Sequence, residues 1–141
     1  AVRVALLNPR AVQAGDRFEV VAPAANWTFH DNTLTDCLRP VVLDGYGGPT
    51  SVLRHNTIVR VRTTGVQQAV ELRGRFALIG NLLVGFDEPD SAAIALYPDP
   101  LDRAARARIR GNTAERCTRL FRESRPGLLD AADAGDNQCD S

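Results

Sequence analysis

An asparagine recurs in the same local setting along most of this chain, and that recurrence restricts the fold more than any other feature. Four segments align on it: Trp27-Thr28-Phe29-His30-Asp31-Asn32-Thr33-Leu34, Ser51-Val52-Leu53-Arg54-His55-Asn56-Thr57-Ile58, Phe76-Ala77-Leu78-Ile79-Gly80-Asn81-Leu82-Leu83 and Ala107-Arg108-Ile109-Arg110-Gly111-Asn112-Thr113-Ala114. A weaker fifth copy is Gly135-Asp136-Asn137-Gln138-Cys139. Three positions before the asparagine stands Phe29, Leu53, Leu78 or Ile109; two positions after it stands Leu34, Ile58, Leu83 or Ala114. A second block recurs upstream: Phe18-Glu19-Val20, Val41-Val42-Leu43-Asp44-Gly45, Val70-Glu71-Leu72-Arg73-Gly74 and Ile94-Ala95-Leu96-Tyr97. Its alternation of period two marks short strands with one face inside.

A unit of this length cannot bury its own apolar residues, whereas stacked copies can. Strands without a regular helix select a β-solenoid among the repeat architectures. The asparagine is expected at the corner between two strands, in the left-handed conformation that Asn tolerates, with side-chain amides bonded from coil to coil. Gly80 and Gly111, just before it, suit the same corner. The chain therefore reads as a single all-β domain over 1–141, with an opening strand and turn at 1–17, regular coils at 18–113 and an irregular terminal coil at 114–141. The stretch from Ala114 to Glu123 is a candidate helix. Tyr97 to Arg106 reads as a loop inserted outside the coil, with Asp102 able to cap a helical turn.

Composition removes several alternatives. The 141 residues are 44% hydrophobic and 24% charged, with 17 basic and 17 acidic residues. This balance gives no basic field for nucleic acid, and no nucleic-acid partner is expected. No apolar run approaches the ~20 residues of a membrane helix, and no membrane partner is expected. Every basic residue is Arg, which excludes lysine chemistry. Met is absent, so the chain is expected to be a trimmed piece of a longer, exported precursor, extracellular or periplasmic; simple loss of an initiator Met is the alternative. Cys37, Cys117 and Cys139 allow at most one internal disulfide, which Cys117 and Cys139 can form if their turns stack. Neither histidine has zinc-ligand spacing to a cysteine, so no metal or cofactor is expected.

The pattern apolar-x-apolar-x-x-Asn-x-apolar, preceded by Val-x-Leu-x-Gly strands, resembles the right-handed parallel β-helix proteins of the pectate-lyase-like class from about Phe18 to Asn137. The resemblance implies a right-handed parallel β-helix of about five coils with an asparagine ladder. That class holds polysaccharide lyases, glycoside hydrolases, epimerases, tailspikes and adhesins, so the fold leaves the activity open. Its complete enzymes are longer, often with about ten coils and an N-terminal helical cap, neither of which is found here.

The candidate site follows from the strand alternation. Val41, Leu43, Val70, Leu72, Ile94 and Leu96 are assigned inward, which leaves Asp44, Arg73 and Tyr97 in one outward column with Glu71 beside it. Arg pairs with a carboxylate bidentately, a tyrosine ring stacks on a pyranose, and a carboxylate serves as acid or base. Asp44, Glu71 and Arg73 are the candidate catalytic residues, and Tyr97, Arg73 and Asp44 the candidate substrate-binding residues. A plain cross-strand ion pair between Asp44 and Arg73 is the competing explanation. In the resembled class, substrate commonly lies along this same sheet. The expected function is carbohydrate binding or polysaccharide processing, by a lyase or glycoside hydrolase whose site is incomplete in this chain if it is an enzyme. The alternative is a non-catalytic assembly module, adhesin- or tailspike-like. For that reading, outward Ile79, Leu82 and Val84, with Val52 and Val59, would contact a second copy or the rest of a parent chain. Asp87-Glu88-Pro89-Asp90 reads as a solvated turn rather than a calcium loop. Arg103, Arg106, Arg108 and Arg110 lack interleaved aromatics, and His30 and His55 are expected at the surface. Asn26-Trp27-Thr28 matches the glycosylation pattern only incidentally, because Trp27 is expected inside.

Overall fold

The computed structural model describes residues 2–4, 18–20, 28–37, 39–44, 51–98 and 107–140. Among these residues there are strands and no helix. A first short strand, β1 (Val2–Val4), precedes five three-strand rungs. The first is β2 (Phe18–Val20), β3 (Thr28–His30) and β4 (Thr33–Thr35); the second is β5 (Val41–Asp44), β6 (Val52–Arg54) and β7 (Thr57–Val59). The third is β8 (Gln68–Arg73), β9 (Ala77–Ile79) and β10 (Leu82–Val84). The fourth is β11 (Ala92–Tyr97), β12 (Arg108–Arg110) and β13 (Thr113–Glu115), and the fifth is β14 (Phe121–Glu123), β15 (Asp133–Gly135) and β16 (Gln138–Asp140). Corresponding strands pair in parallel into three sheets: β1-β2-β5-β8-β11-β14, β3-β6-β9-β12-β15 and β4-β7-β10-β13-β16. The protein is a parallel β-solenoid of about four full turns.

The register explains the sequence pattern. Phe29, Leu53, Leu78 and Ile109 stack in the second sheet. Leu34, Ile58, Leu83 and Ala114 stack in the third. Val41, Val70 and Ile94, with Leu43, Leu72 and Leu96, form the inner columns of the first. All of these side chains are buried, and together with Phe76 and Phe86 they form the core. Burying one such aliphatic chain contributes about 1.5–3 kcal/mol.

The asparagines bond from rung to rung as expected. The backbone N–H of each donates to Oδ1 of the next: Asn32 to Asn56, Asn56 to Asn81, Asn81 to Asn112, all at 2.9 Å, and Asn112 to Asn137 at 3.0 Å. Each side-chain amide donates to that same oxygen. From Asn56 onward, the amide also reaches back to the carbonyl of the apolar residue in the rung above: Phe29, Leu53, Leu78 and Ile109. The corner conformation differs from expectation by one residue. The left-handed positions are those just before the asparagines: Asp31 (φ 57), His55 (φ 52), Gly80 (φ 64), Gly111 (φ 67) and Asp136 (φ 58). An asparagine at the corner itself would point its amide outward; one position later it turns inward and meets its neighbours.

The structure corrects two further expectations. Ala114 to Glu123 is not helical: it carries the end of β13 and all of β14, because Ala114 must lie beneath Leu83 and Phe121 beneath Ile94. Stacking overrides local helix preference there. The terminal coil is also regular, since β15 and β16 pair in register with β12 and β13 around a turn at 126–131. Cys117, just after β13, and Cys139 of β16 form a disulfide between the last two rungs, and Cys37 is buried outside it. Asn26, Trp27 and the inserted loop beyond Pro98 up to Arg106 lie outside the described residues.

Candidate functional site

The outward side of the first sheet carries the residues singled out from the sequence. Asp44 pairs in register with Arg73, and Arg73 with Tyr97, so the three share one column; Asp44 is placed there by its backbone alone. Val42, Glu71, Ala95 and Arg122 form the neighbouring column. Outward does not mean solvated here. Val42, Glu71 and Ala95 are only 6%, 5% and 1% exposed.

Glu71 is held by a polar cluster. Arg39 donates from Nε to Oε1 at 2.9 Å and from Nη2 to Oε2 at 2.7 Å, a bidentate pair. Gln68, three residues earlier on the same strand, donates from Nε2 to Oε1 at 2.7 Å. Arg122 donates to Oε1 of Gln68 and, at 2.8 Å, to the carbonyl of Asp90. Burial pushes the Glu71 carboxyl up, but the bonds and charge of Arg39, with Gln68 and nearby Arg73, outweigh it and hold the group below the usual glutamate range. It is an ionised, fully engaged carboxylate.

Arg73 is in the opposite condition. Its guanidinium lies over the Tyr97 ring, 4.1 Å from the centroid. Both residues are half-buried, and Arg73 has no hydrogen bond or ion pair among the described residues. The stack fixes the plane of the guanidinium and leaves its N–H edges free of the ring. Two residues on, Arg75 has a buried Nε with no hydrogen-bond partner among the described residues. The end of this sheet therefore presents a guanidinium stacked on an aromatic ring, which suits an anionic, hydroxyl-rich ligand.

The other candidates lie elsewhere. Arg60 pairs with Asp87 at 2.6 Å and Glu88 at 3.2 Å, and Glu88 also accepts from the N–H of Gly65, so this acidic turn clips one rung's loop to the next. No group of His, Cys, Asp and Glu suited to a metal ion occurs among the described residues. His30 and His55 are exposed; Nδ1 of His30 lies 2.6 Å from Asp31. Val52, Val59, Ile79, Leu82 and Val84 are each half-buried on the outer faces of the second and third sheets, and Val61 is exposed nearby.

Sequence reasoning missed Arg39, Gln68 and Arg122. Arg122 was within reach: Phe121-Arg122-Glu123 repeats the alternation of Ile94-Ala95-Leu96 directly above it. Arg39 carries no periodic signal, since it stands just before a strand and finds Glu71 only through the stacking.

Comparison with protein-family models, with curated proteins and with solved structures gives no match for this chain.

Proposed function

We propose that this chain is a carbohydrate-binding β-solenoid of the pectate-lyase-like kind, holding an acidic oligosaccharide at the end of its first sheet. The observation that carries the reading is the Arg73 guanidinium, stacked on Tyr97 at 4.1 Å with no hydrogen bond or ion pair among the described residues. A uronate carboxylate can take its N–H edge bidentately while a sugar face lies against the neighbouring ring. Binding is favoured over cleavage because the candidate carboxylate Glu71 is held below the usual glutamate range and is clamped by Arg39 and Gln68. A general acid must instead carry a proton near the working pH. The disulfide between Cys117 and Cys139 supports an exported, oxidising setting.

The test is calorimetric titration with a short oligogalacturonate and with a neutral oligosaccharide of equal length. Arg73→Ala is expected to weaken binding of the acidic ligand by about tenfold or more, the worth of a charge-assisted bidentate contact. Tyr97→Ala is expected to weaken both ligands. Unchanged binding in both variants removes the proposal.

A second reading, a non-catalytic assembly module, is supported by the row of half-buried Val52, Val59, Ile79, Leu82 and Val84 beside exposed Val61. It calls for an oligomer that Leu82→Arg would disrupt, with glycan binding untouched.

A further inference from the structure

One column on the outer face of the first sheet runs acid, base, aromatic ring from rung to rung. Asp44, the last residue of β5, pairs with Arg73, the last of β8, and Arg73 pairs with Tyr97, the last of β11. Leu43 is buried inward, so the alternation puts Asp44 on the outer face. Neighbouring rungs lie ~4.8 Å apart. In the rung beneath Tyr97, Ser124 follows β14, and its N–H donates to the carbonyl of Leu96 at 2.9 Å. The column therefore holds one cation, with an acid in the rung to one side and uncharged groups in the two rungs to the other.

The two acids nearest to Arg73 in the sheet differ in what a ligand meets. Glu71, in the neighbouring column, is 5% exposed, and its charge is answered by the bidentate Arg39. Asp44 stands in the column of Arg73 itself. Arg73 is turned the other way, its guanidinium 4.1 Å from the centroid of the Tyr97 ring, with no ion pair among the described residues. An anion docked on Arg73 therefore has an acid one rung away on one side and a ring on the other. Successive sugars of an extended oligosaccharide advance by about one rung. With one carboxylate on Arg73, the next sugar toward β5 falls at the register position of Asp44. A second uronate there sets like charges together, whereas an uncharged sugar brings hydroxyl donors to a carboxylate.

We propose that this column selects an acidic oligosaccharide in which each uronate is followed by an uncharged sugar, and that Asp44 sets the preference by repelling a second anion. The selection rests on the glycan reading above. It gives Asp44 a part in specificity, while Arg73 and Tyr97 supply the affinity.

The test is calorimetric titration of the intact chain with two oligosaccharides of equal length, an oligogalacturonate and the alternating glucuronate–N-acetylglucosamine oligomer of hyaluronan. The unmodified chain is expected to bind the alternating oligomer about fivefold more tightly, although it carries half as many carboxylates. Asp44→Asn is expected to raise the affinity for the oligogalacturonate about fivefold, the size of a Coulomb repulsion across a part-solvated gap of one or two rungs. The gain should shrink in high salt. The alternating oligomer is expected to bind Asp44→Asn and the unmodified chain within about twofold of each other, which also shows that the variant is folded. Arg73→Ala is expected to weaken both ligands. If Arg73→Ala does so while Asp44→Asn leaves the ratio of the two affinities unchanged, the glycan reading stands and the selection is overturned. Weaker oligogalacturonate binding in Asp44→Asn also overturns it, since Asp44 would then hold the sugar. Binding of neither oligomer by the unmodified chain removes both.

Discussion

The backbone N–H and the side-chain amide of Asn81 both donate to Oδ1 of Asn112, each at 2.9 Å. Asn81 in turn accepts twice from Asn56 and donates to the carbonyl of Leu53. Asn56, Asn81 and Asn112 are 1%, 2% and 1% exposed, so these polar groups have no water to fall back on. Asn81→Ala would leave the Asn56 N–H buried and unpaired, at about 1–3 kcal/mol, and would also remove the bonds of the Asn81 amide to Leu53 and Asn112. Chemical denaturation is expected to show a loss of about 3–5 kcal/mol for Asn81→Ala. Asn32→Ala, at the half-buried end of the ladder, is expected to cost only about 1 kcal/mol. Equal losses at the two positions would mean that the ladder adds nothing beyond the corner itself.

The ladder and the inner columns were legible because a stacked repeat imposes one requirement on every rung: Phe29, Leu53, Leu78 and Ile109 occupy one place in the structure and one place in the pattern. The left-handed corner was misplaced by one residue because Asp31, His55, Gly80, Gly111 and Asp136 share a backbone conformation but no side-chain chemistry. The site was legible only as backbone register. Alternation puts Asp44, Arg73 and Tyr97 in one column, but it cannot tell that Glu71, also outward, is covered and clamped. That depends on Arg39 and Arg122, which are 32 and 51 residues from Glu71 in sequence and reach it, directly or through Gln68, only once the rungs stack.

The Glu71 cluster makes stability depend on pH. Burial alone would raise the carboxyl, but Arg39 and Gln68 leave it below its ordinary value near 4.5. A depressed folded-state value means that the unfolded chain binds the proton more readily. The contribution is therefore full above about pH 4.5 and is lost as pH falls through the folded value. Glu71→Gln is expected to lower stability at neutral pH by about 1–2 kcal/mol, since Arg39 is half-exposed and is partly re-solvated. It is also expected to shrink the acid limb of a stability-versus-pH curve. Part of that limb should remain from Asp36, which the backbone N–H groups of Arg62, Val61 and Thr63 hold below the usual carboxylate range. An unchanged acid limb in Glu71→Gln would contradict the assignment.

The disulfide between Cys117 and Cys139 ties the last strand, β16, to the corner that follows β13. All three residues of β16 are exposed, so little packing holds it. Closing a loop of 22 residues is worth about 3 kcal/mol on the chain-entropy account. Cys139→Ser, or a dithiol reductant, is expected to speed hydrogen exchange in residues 133–140 and to leave the amides of β8 and β11 protected. Uniform loss of protection through all rungs would instead show that the solenoid unfolds as one unit.

Gly85 and Gly111 both have positive φ, 92 and 67, but their surroundings differ. A Cβ on Gly85 would lie 2.2 Å from the carbonyl oxygen of Arg60 in the rung above. That backbone cannot retreat, because the Arg60 N–H donates to the Val84 carbonyl at 2.8 Å and Nε of Arg60 to the Gly85 carbonyl at 2.6 Å. At Gly111 the nearest atom, the Gly80 nitrogen, is 3.9 Å away. Gly111→Ala should therefore show little more than the cost of a left-handed residue, about 1 kcal/mol. Gly111→Asn should cost less, since Asn tolerates this conformation and Asp31, His55 and Asp136 already occupy it in the same column. Gly85→Ala should exceed both by about 2 kcal/mol or more, because backbone rather than a side chain must move. Denaturation midpoints of the three variants give the order directly, and a Gly85→Ala protein as stable as Gly111→Ala would show that the Arg60 corner yields where the rung contacts say it is fixed.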